Sequence, residues 1–342
     1  MKRFLTLLLA MLLAISCFSL VACDKGDNPD DGGNDGAKSL SFYAPDGAPA
    51  LAVAKFIKDN EDFGIDADFT YNVVSANDIG GIMQKGEGDF IVMPVNAASK
   101  LYKVYADDPY VLAGVVTHGN LYIASTEELT LDGLKGKVVG VIGQGLVPDL
   151  TFRAVLKDND LLDDVVVGDT PTDGKITVRY FAAASDMLPL LKQDKLTVGL
   201  LPEPALNNLK TKVAADRDWK TLDLQELYDS DKKAYPQAVL MVKKSVYEPY
   251  AENIKGMADK FSENVKWVKE NTADAVAAVN SALPEGATPS LNAGAITAIV
   301  VDNCKIFWQS AKDAKTDVKN YIDKIIAVNA QAAKTINDDF FA

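Results

Sequence analysis

SLSFYAPDGAPALAVAKFIKDN, residues 39–60, holds one complete unit of the pattern that decides the fold. Residues 39–44 read as a strand, and Pro45-Asp46-Gly47-Ala48-Pro49 interrupts it. Apolar residues at 51, 53, 54, 56 and 57 then predict a helix that closes near Asn60. The unit repeats twice. DADFTYNVV (66–74) is a second strand, followed by a short helix over 78–84. DFIVM (89–93) is a continuous apolar strand that turns through Pro94-Val95-Asn96-Ala97 into a helix running to Tyr105. Three strand–helix units in a row carry the rhythm of a parallel sheet covered on both faces.

Working outward, short strands at 111–116 and 121–125 flank Thr117-His118-Gly119-Asn120, and the rhythm restarts near Leu134. KVVGVI (137–142) is a strand, Gly143-Gln144-Gly145 a turn, and 147–157 a helix. Strand 176–181 precedes helix 186–192. TVGLL (197–201) precedes Pro202-Glu203-Pro204 and a helix through Asn208, and 238–242 is a further strand. The last third reads as helical over 246–270, 272–283, 293–307 and 311 to about 336, with the final segment returning to the first unit. The fold class is α/β: two lobes, each a mostly parallel sheet flanked by helices. Connections between the lobes make a hinge, with a ligand cleft between them.

Ahead of this body, Met1-Lys2-Arg3 and an apolar run to Ala22 have the order of a secretory signal, although the run approaches the length of a membrane span. Leu20-Val21-Ala22-Cys23 resembles the bacterial lipoprotein signal, in which the cysteine is lipidated and becomes the first mature residue. That implies a signal peptide over 1–22 and a lipid anchor at Cys23. DKGDNPDDGGNDGA (24–37) has almost nothing to bury and completes a flexible tether over 23–37. An anchor, a tether and a folded body in that order predict a domain held at the extracytoplasmic face of a bacterial cell membrane.

Asp and Glu number 48 against 35 Lys and Arg, a formal charge of −13. This excess argues against nucleic acid, whose backbone attracts clustered cations. The body holds one cysteine, Cys304, and the chain one histidine, His118, far apart in sequence. A disulfide framework, a thiolate–imidazole pair and a Cys/His metal site are therefore not expected. Neither a metal nor a cofactor is predicted.

Ligands of parallel sheets sit beyond the carboxyl ends of strands. Asp46-Gly47-Ala48 has that position, with a glycine for tight geometry and Pro49 near the first helical position. Free N–H groups there would favour a polarised oxygen, or Asp46 simply caps the helix. Gly143-Gln144-Gly145 is placed like a phosphate loop without the residues of a nucleotide motif. It reads as a pocket loop offering N–H groups and the Gln144 amide. Phe152, one turn on, either stacks on a ligand ring or fills the core. Asn96 and Glu203 hold matching places in the two units, as ligand contacts or caps. His118, in the crossing segment, is a hinge residue or a ligand contact. The Trp residues at 219, 267 and 308 read as packing residues.

The same loops carry a family likeness. Tyr43-Ala44-Pro45-Asp46-Gly47-Ala48-Pro49-Ala50, Gly88-Asp89 to Asn96, and Val115 to Tyr122 come first. Leu134-Lys135-Gly136-Lys137, Gly143-Gln144-Gly145, Leu200 to Pro204, Asn303 to Ile306, and Asn337 to Phe341 follow. Taken in order, these resemble the extracytoplasmic substrate-binding proteins of ABC importers, in the group serving nitrate, sulfonate, taurine or thiamine-precursor uptake. The resemblance implies a type II periplasmic-binding-protein-like fold, with one lobe over 38–117 plus 244–342 and the other over 118–243. It implies a monomer that closes on a small polar molecule and docks on a permease served by a cytoplasmic ATPase. By loop position it places the pocket at Asp46, Gly47, Asn96, Gln144, Gly145 and Glu203. No Arg stands in these loops to clamp a sulfonate or carboxylate, so a neutral or amine-bearing heterocycle fits at least as well. A surface sensory or structural module, and an enzyme of the pyrimidine-precursor type on the same fold, are the alternatives.

Overall fold

The computed structural model describes residues 38–342, which form one unit. The signal peptide, Cys23 and the tether lie outside the described residues. Twelve strands build two six-stranded sheets. The first sheet uses β1 (Ser39–Pro45), β2 (Asp68–Val74), β3 (Phe90–Pro94), β4 (Tyr110–Thr117), β11 (Ala238–Lys243) and β12 (Ile306–Ser310), in the order β12-β4-β11-β3-β1-β2. The second uses β5 (Leu121–Ser125), β6 (Val138–Ile142), β7 (Val165–Val167), β8 (Ile176–Phe181), β9 (Val198–Pro202) and β10 (Lys220–Asp223), in the order β10-β5-β9-β6-β8-β7. Both sheets are mixed. β2-β1-β3 and β7-β8-β6-β9 run parallel, whereas β4, β11 and β12 in one sheet and β5 and β10 in the other pair antiparallel.

The antiparallel strands are the ones that enter or leave a sheet where the chain crosses. β4 ends at Thr117 and β5 starts at Leu121, so residues 118–120 make the first crossing; the return lies between β10 and β11. A division at residue 243 would put 238–243 in the second lobe, but β11 lies between β4 and β3 in the first sheet. Its fully apolar run matches a central strand buried on both faces. β4 is likewise buried at all eight positions.

Three parallel strands, β1, β3 and β9, end on Pro45, Pro94 and Pro202. Proline supplies no N–H to extend a ladder, so each strand stops there and the chain leaves the sheet. These ends aim their loops at the space between the sheets.

The helical C-terminal third differs in detail from its sequence reading. Residues 246–270 form separate helices that include Ala251–Lys255 and Met257–Glu270. The expected helix over 293–307 stops at Asn303. Lys305 adopts a left-handed backbone, φ 48°, and the β-branched and aromatic run Ile306-Phe307-Trp308 continues as β12. Cys304 is fully buried beside this break. The last long helix, Ala311–Val328, ends short of 336.

That helix packs on the first sheet and on the helix Val147–Asp158 of the second lobe, rather than returning to the first lobe alone. Tyr321, Ile322 and Ile325 join Leu112, Val115, Val239 and Met241 of the first sheet, and Val139, Val141, Ile176 and Val198 of the second, in one continuous core. Against the helix Val147–Asp158 it makes a Thr151–Tyr321 hydroxyl pair at 2.8 Å and a Lys324–Asp158 bridge at 2.6 Å. Lys157 Nζ also donates to the Ala327 carbonyl. The chain end then rejoins the first sheet, where Ala342 N donates to Leu112 O at 2.9 Å. Separate cores cover the other face of each sheet, around Phe42, Phe90 and Phe261 in one case and Phe181, Met187 and Trp219 in the other.

Candidate functional site

Between the carboxyl ends of the parallel strands lies a cavity of about 920 Å³. The first sheet contributes Pro45, Asp46, Gly47, Ala48 and Pro49 after β1, Ser75 and Ala76 after β2, and Pro94 at the end of β3. The second contributes Ile142 after β6, Ala183 to Ser185 after β8, and Pro202 to Ala205 after β9. Asn120 and Gln237, one on each crossing segment, add polar groups, as do Asp78, Asn208 and the loop through Ser290 and Asn292. A smaller recess of about 460 Å³, lined by Ala273 to Asn280 and Pro289 to Ala293, draws on one side of the molecule only.

Asp46 stands where β1 ends. Its N–H donates to Val74 O, tying the loop to β2, and its Oδ2 accepts from Ser290 N at 2.7 Å. Its Oδ1 is buried without a partner, which is costly for a carboxylate unless something else meets it. Gly47 is at φ 112°, where a side chain is strained, so the tight exit from β1 requires glycine. The following turn is fixed from outside by Asn264. Its Nδ2 donates to Leu51 O and Ala52 O, and its Oδ1 accepts from Lys55 N, satisfying an irregular stretch between two short helices.

Glu203 follows β9 and is only 4% exposed. Burial raises its pKa above the usual carboxylate value, opposed by hydrogen bonds from Asn207 N to Oε2 and Asn303 Nδ2 to Oε1. Asn303 ends the helix Ala298–Asn303 that leads into β12 of the first sheet, so the bond at 3.2 Å joins the two halves. Two single acceptances leave lone pairs on both oxygens.

Of the residues singled out in the sequence, Asp46, Gly47, Ala48 and Glu203 line this cavity; Asn96, His118, Gln144, Gly145 and Phe152 do not. Asn96 is buried behind β3 and donates to Ala332 O. Phe152 is fully buried in the core. Gln144 is exposed, off the cavity wall. His118 is 3% exposed and stacks on Phe307 at 3.5 Å, with Nε2 facing Gln309 Oε1. Burial lowers its pKa to about 4. Sequence reading missed Asn120, Gln237, Ser185, Asn208 and the 284–295 loop. The polar pair immediately beside the crossing strands was the one available signal.

Both glycine loops spend several of their N–H groups on acceptors within the protein. Pro49 has no N–H, and those of Ala50 and Leu51 donate to Gly47 O. In the second loop Gly143 N donates to Phe181 O, Leu146 N to Gly143 O, and Gly145 N to Asp149 Oδ2 at 2.9 Å. Asp149, buried in the first turn of the helix, takes the place an external anion would need. Arg153 and the Tyr180 hydroxyl both bond Asp149 in turn.

Among the described residues no group of three or more His, Cys, Asp or Glu is placed to hold a metal, and no helix is long and apolar enough to cross a membrane. Cys304 is buried and burial pushes its thiol pKa up, so it offers no ready thiolate.

No protein-family model and no curated protein matches the sequence. Solved structures do match the fold. A Parabacteroides distasonis ABC transporter structure is 20% identical, with 89% of this chain and 99% of that one covered and a TM-score of 0.68. The periplasmic aliphatic sulphonate binding protein SsuA from Escherichia coli is 14% identical over 89% and 96%, with a TM-score of 0.61. The ligand binding component of an ABC-type import system from Staphylococcus aureus is 11% identical over 89% and 96%, with a TM-score of 0.54. The chain therefore has the two-lobed, type II periplasmic-binding-protein-like fold of these structures.

Proposed function

We propose that this chain is the solute-binding component of an ABC importer. It captures a small molecule between its two lobes and presents it to a membrane permease driven by a cytoplasmic ATPase. The observation that carries the reading is the cavity of about 920 Å³, walled by strand ends from both sheets and by both crossing segments. A solute held there touches both halves, so it binds a closed arrangement better than an open one and shifts the population toward it. The transport and ligand-binding roles of the structurally similar proteins support the same reading. With the signal segment and Cys23 read as a lipoprotein leader, the protein works as a lipid-anchored monomer outside the cell membrane. Its first lobe includes 38–117 and its second follows from 118. Asp46, Gly47, Ala48 and Glu203, joined by Asn120 and Gln237, are the ligand-facing residues in this reading, which assigns the cleft no catalysis.

A solute panel titrated by thermal shift tests it, comparing the native chain with Ser185→Trp. Ser185 is exposed and lines the cavity, so tryptophan there fills the cleft without entering the core. A solute that raises the melting temperature of the native chain and not of the variant is expected. Equal responses in both would place binding elsewhere.

A further inference from the structure

Resting on the solute-binding reading, we infer that the cleft selects an organic cation, an amine or quaternary ammonium with an apolar body. Three charged side chains line the cavity, Asp46, Asp78 and Glu203, and all are acidic; none of the described lining residues is Lys, Arg or His. The carboxylates come from both sides, with Asp46 beyond β1 of the first sheet and Glu203 beyond β9 of the second. Asp46 Oδ1 is buried with no hydrogen-bond partner, and Glu203 is almost fully buried with acceptor capacity left.

The arrangement also disfavours anions by a separate route. Both glycine loops at the strand ends have the N–H groups named above engaged by protein acceptors, and Asp149 occupies the helix start beside the cavity wall. Each Arg of the described residues is paired to an aspartate, Arg153 with Asp149, Arg179 with Asp169 and Arg217 with Asp194, and none reaches the lining. An anion would enter a cavity whose charged side chains are all carboxylates, with no Lys or Arg among the described lining residues to neutralise it. The remaining walls mix neutral polar groups with a larger aliphatic part, in which Pro45, Pro94, Pro148, Pro202, Leu121 and Leu188 are prominent, and no aromatic ring is among the described lining residues. They suit an alkyl body rather than an aromatic cage.

Asp46 and Glu203 line one cavity from opposite sheets. A cation attracted to both draws the halves together, so charge recognition and closure are one event.

The test is isothermal titration of the full chain, kept in detergent, with three probe sets. The cationic set is choline and spermidine, the neutral set is 3,3-dimethylbutan-1-ol, and the anionic set is ethanesulfonate and nitrate. Choline and the neutral alcohol share a shape and differ in charge. The inference expects choline to bind at least about tenfold tighter than the neutral isostere, on the scale of a partly screened cation–carboxylate attraction. Glu203→Gln and Asp46→Asn should each lose about tenfold, with Asp78→Asn at the exposed rim losing less. Asp46→Asn keeps an acceptor for Ser290 N, so it carries the test if Glu203→Gln fails to fold. Tighter binding of ethanesulfonate or nitrate, or equal binding of choline and the alcohol, overturns the cation and leaves solute binding standing. No binding in any set, with nothing co-purifying in the cleft, overturns both.

Discussion

Gln237 Nε2 donates to Asn120 Oδ1 at 2.9 Å, and these two residues stand on the two chain segments that cross between the sheets. Asn120 is bound on its other side as well. Its Nδ2 donates to Glu203 O at 2.8 Å and its carbonyl accepts from Glu203 N at 2.8 Å. One amide thus connects both crossings to the acidic loop after β9. Asn120→Ala leaves the Glu203 carbonyl and the Gln237 amide unpaired in a buried place, a loss of about 1–3 kcal/mol. Denaturant unfolding should show that loss, and solute affinity should fall with it.

Asn264 works at a distance from the cavity but holds its edge. Its three hydrogen bonds, to Leu51 O, Ala52 O and Lys55 N, satisfy backbone groups that the broken helix cannot. Asn264→Leu is close in size and removes all three, so a destabilisation of about 3 kcal/mol or more is expected. The check is an equilibrium melt together with faster hydrogen exchange at Leu51–Lys55.

His118 gives the fold an acid-sensitive hinge. Its folded pKa lies near 4, below the ordinary histidine value of 6.5, because burial opposes the charged ring. Between those values the unfolded chain binds the proton and the folded one does not. Stability therefore falls as pH drops from about 6.5 toward 4, by up to roughly 3 kcal/mol. The groups facing the ring are Gln309, the Lys305 carbonyl and, more remotely, Asp317. In His118→Gln the slope of stability against pH over this window should flatten relative to the native chain.

Glu203 carries the opposite sign. Its folded pKa is raised, so the folded state holds the proton where the unfolded one has lost it, and stability declines as pH rises above the unfolded value. Glu203→Gln removes this dependence. The variant, relative to the native chain, should be more stable at pH 7 than at pH 4 in paired thermal melts without solute.

Gln144 is exposed and lies off the cavity wall. Gln144→Ala should change stability by less than about 0.5 kcal/mol and leave solute affinity unchanged. A loss of affinity would bring this loop into the site.

The parallel half of each sheet, β7 apart, was legible because its strands are short runs closed by proline or glycine turns, with helical spacing after them; the short β7 and β10 were not read. β12 was not, because Val300, Val301, Cys304 and Ile306 continue a helical spacing. What ends the helix is a backbone reversal at Lys305 that spacing does not announce. The two-sided packing of Ala311–Val328 was hidden for a related reason. An apolar stripe records that a face is buried and not against which element. At the site, the loops after β1 and β9 were readable from their position beyond strand ends. Gly143-Gln144-Gly145 has the same position, but Asp149, only four residues beyond Gly145, draws its N–H inward and leaves Gln144 in solvent. Asn120 and Gln237 came together through the crossing itself, across 117 residues of sequence.

Native mass spectrometry of the full chain, purified gently in detergent and then unfolded to release what it holds, bears most directly on the central claim that the interlobe cavity carries a solute. The expected result is one equivalent of a small molecule per chain, absent from Ser185→Trp prepared in the same way. A chain that is empty in both preparations, and that no solute of any charge class stabilises, would contradict it.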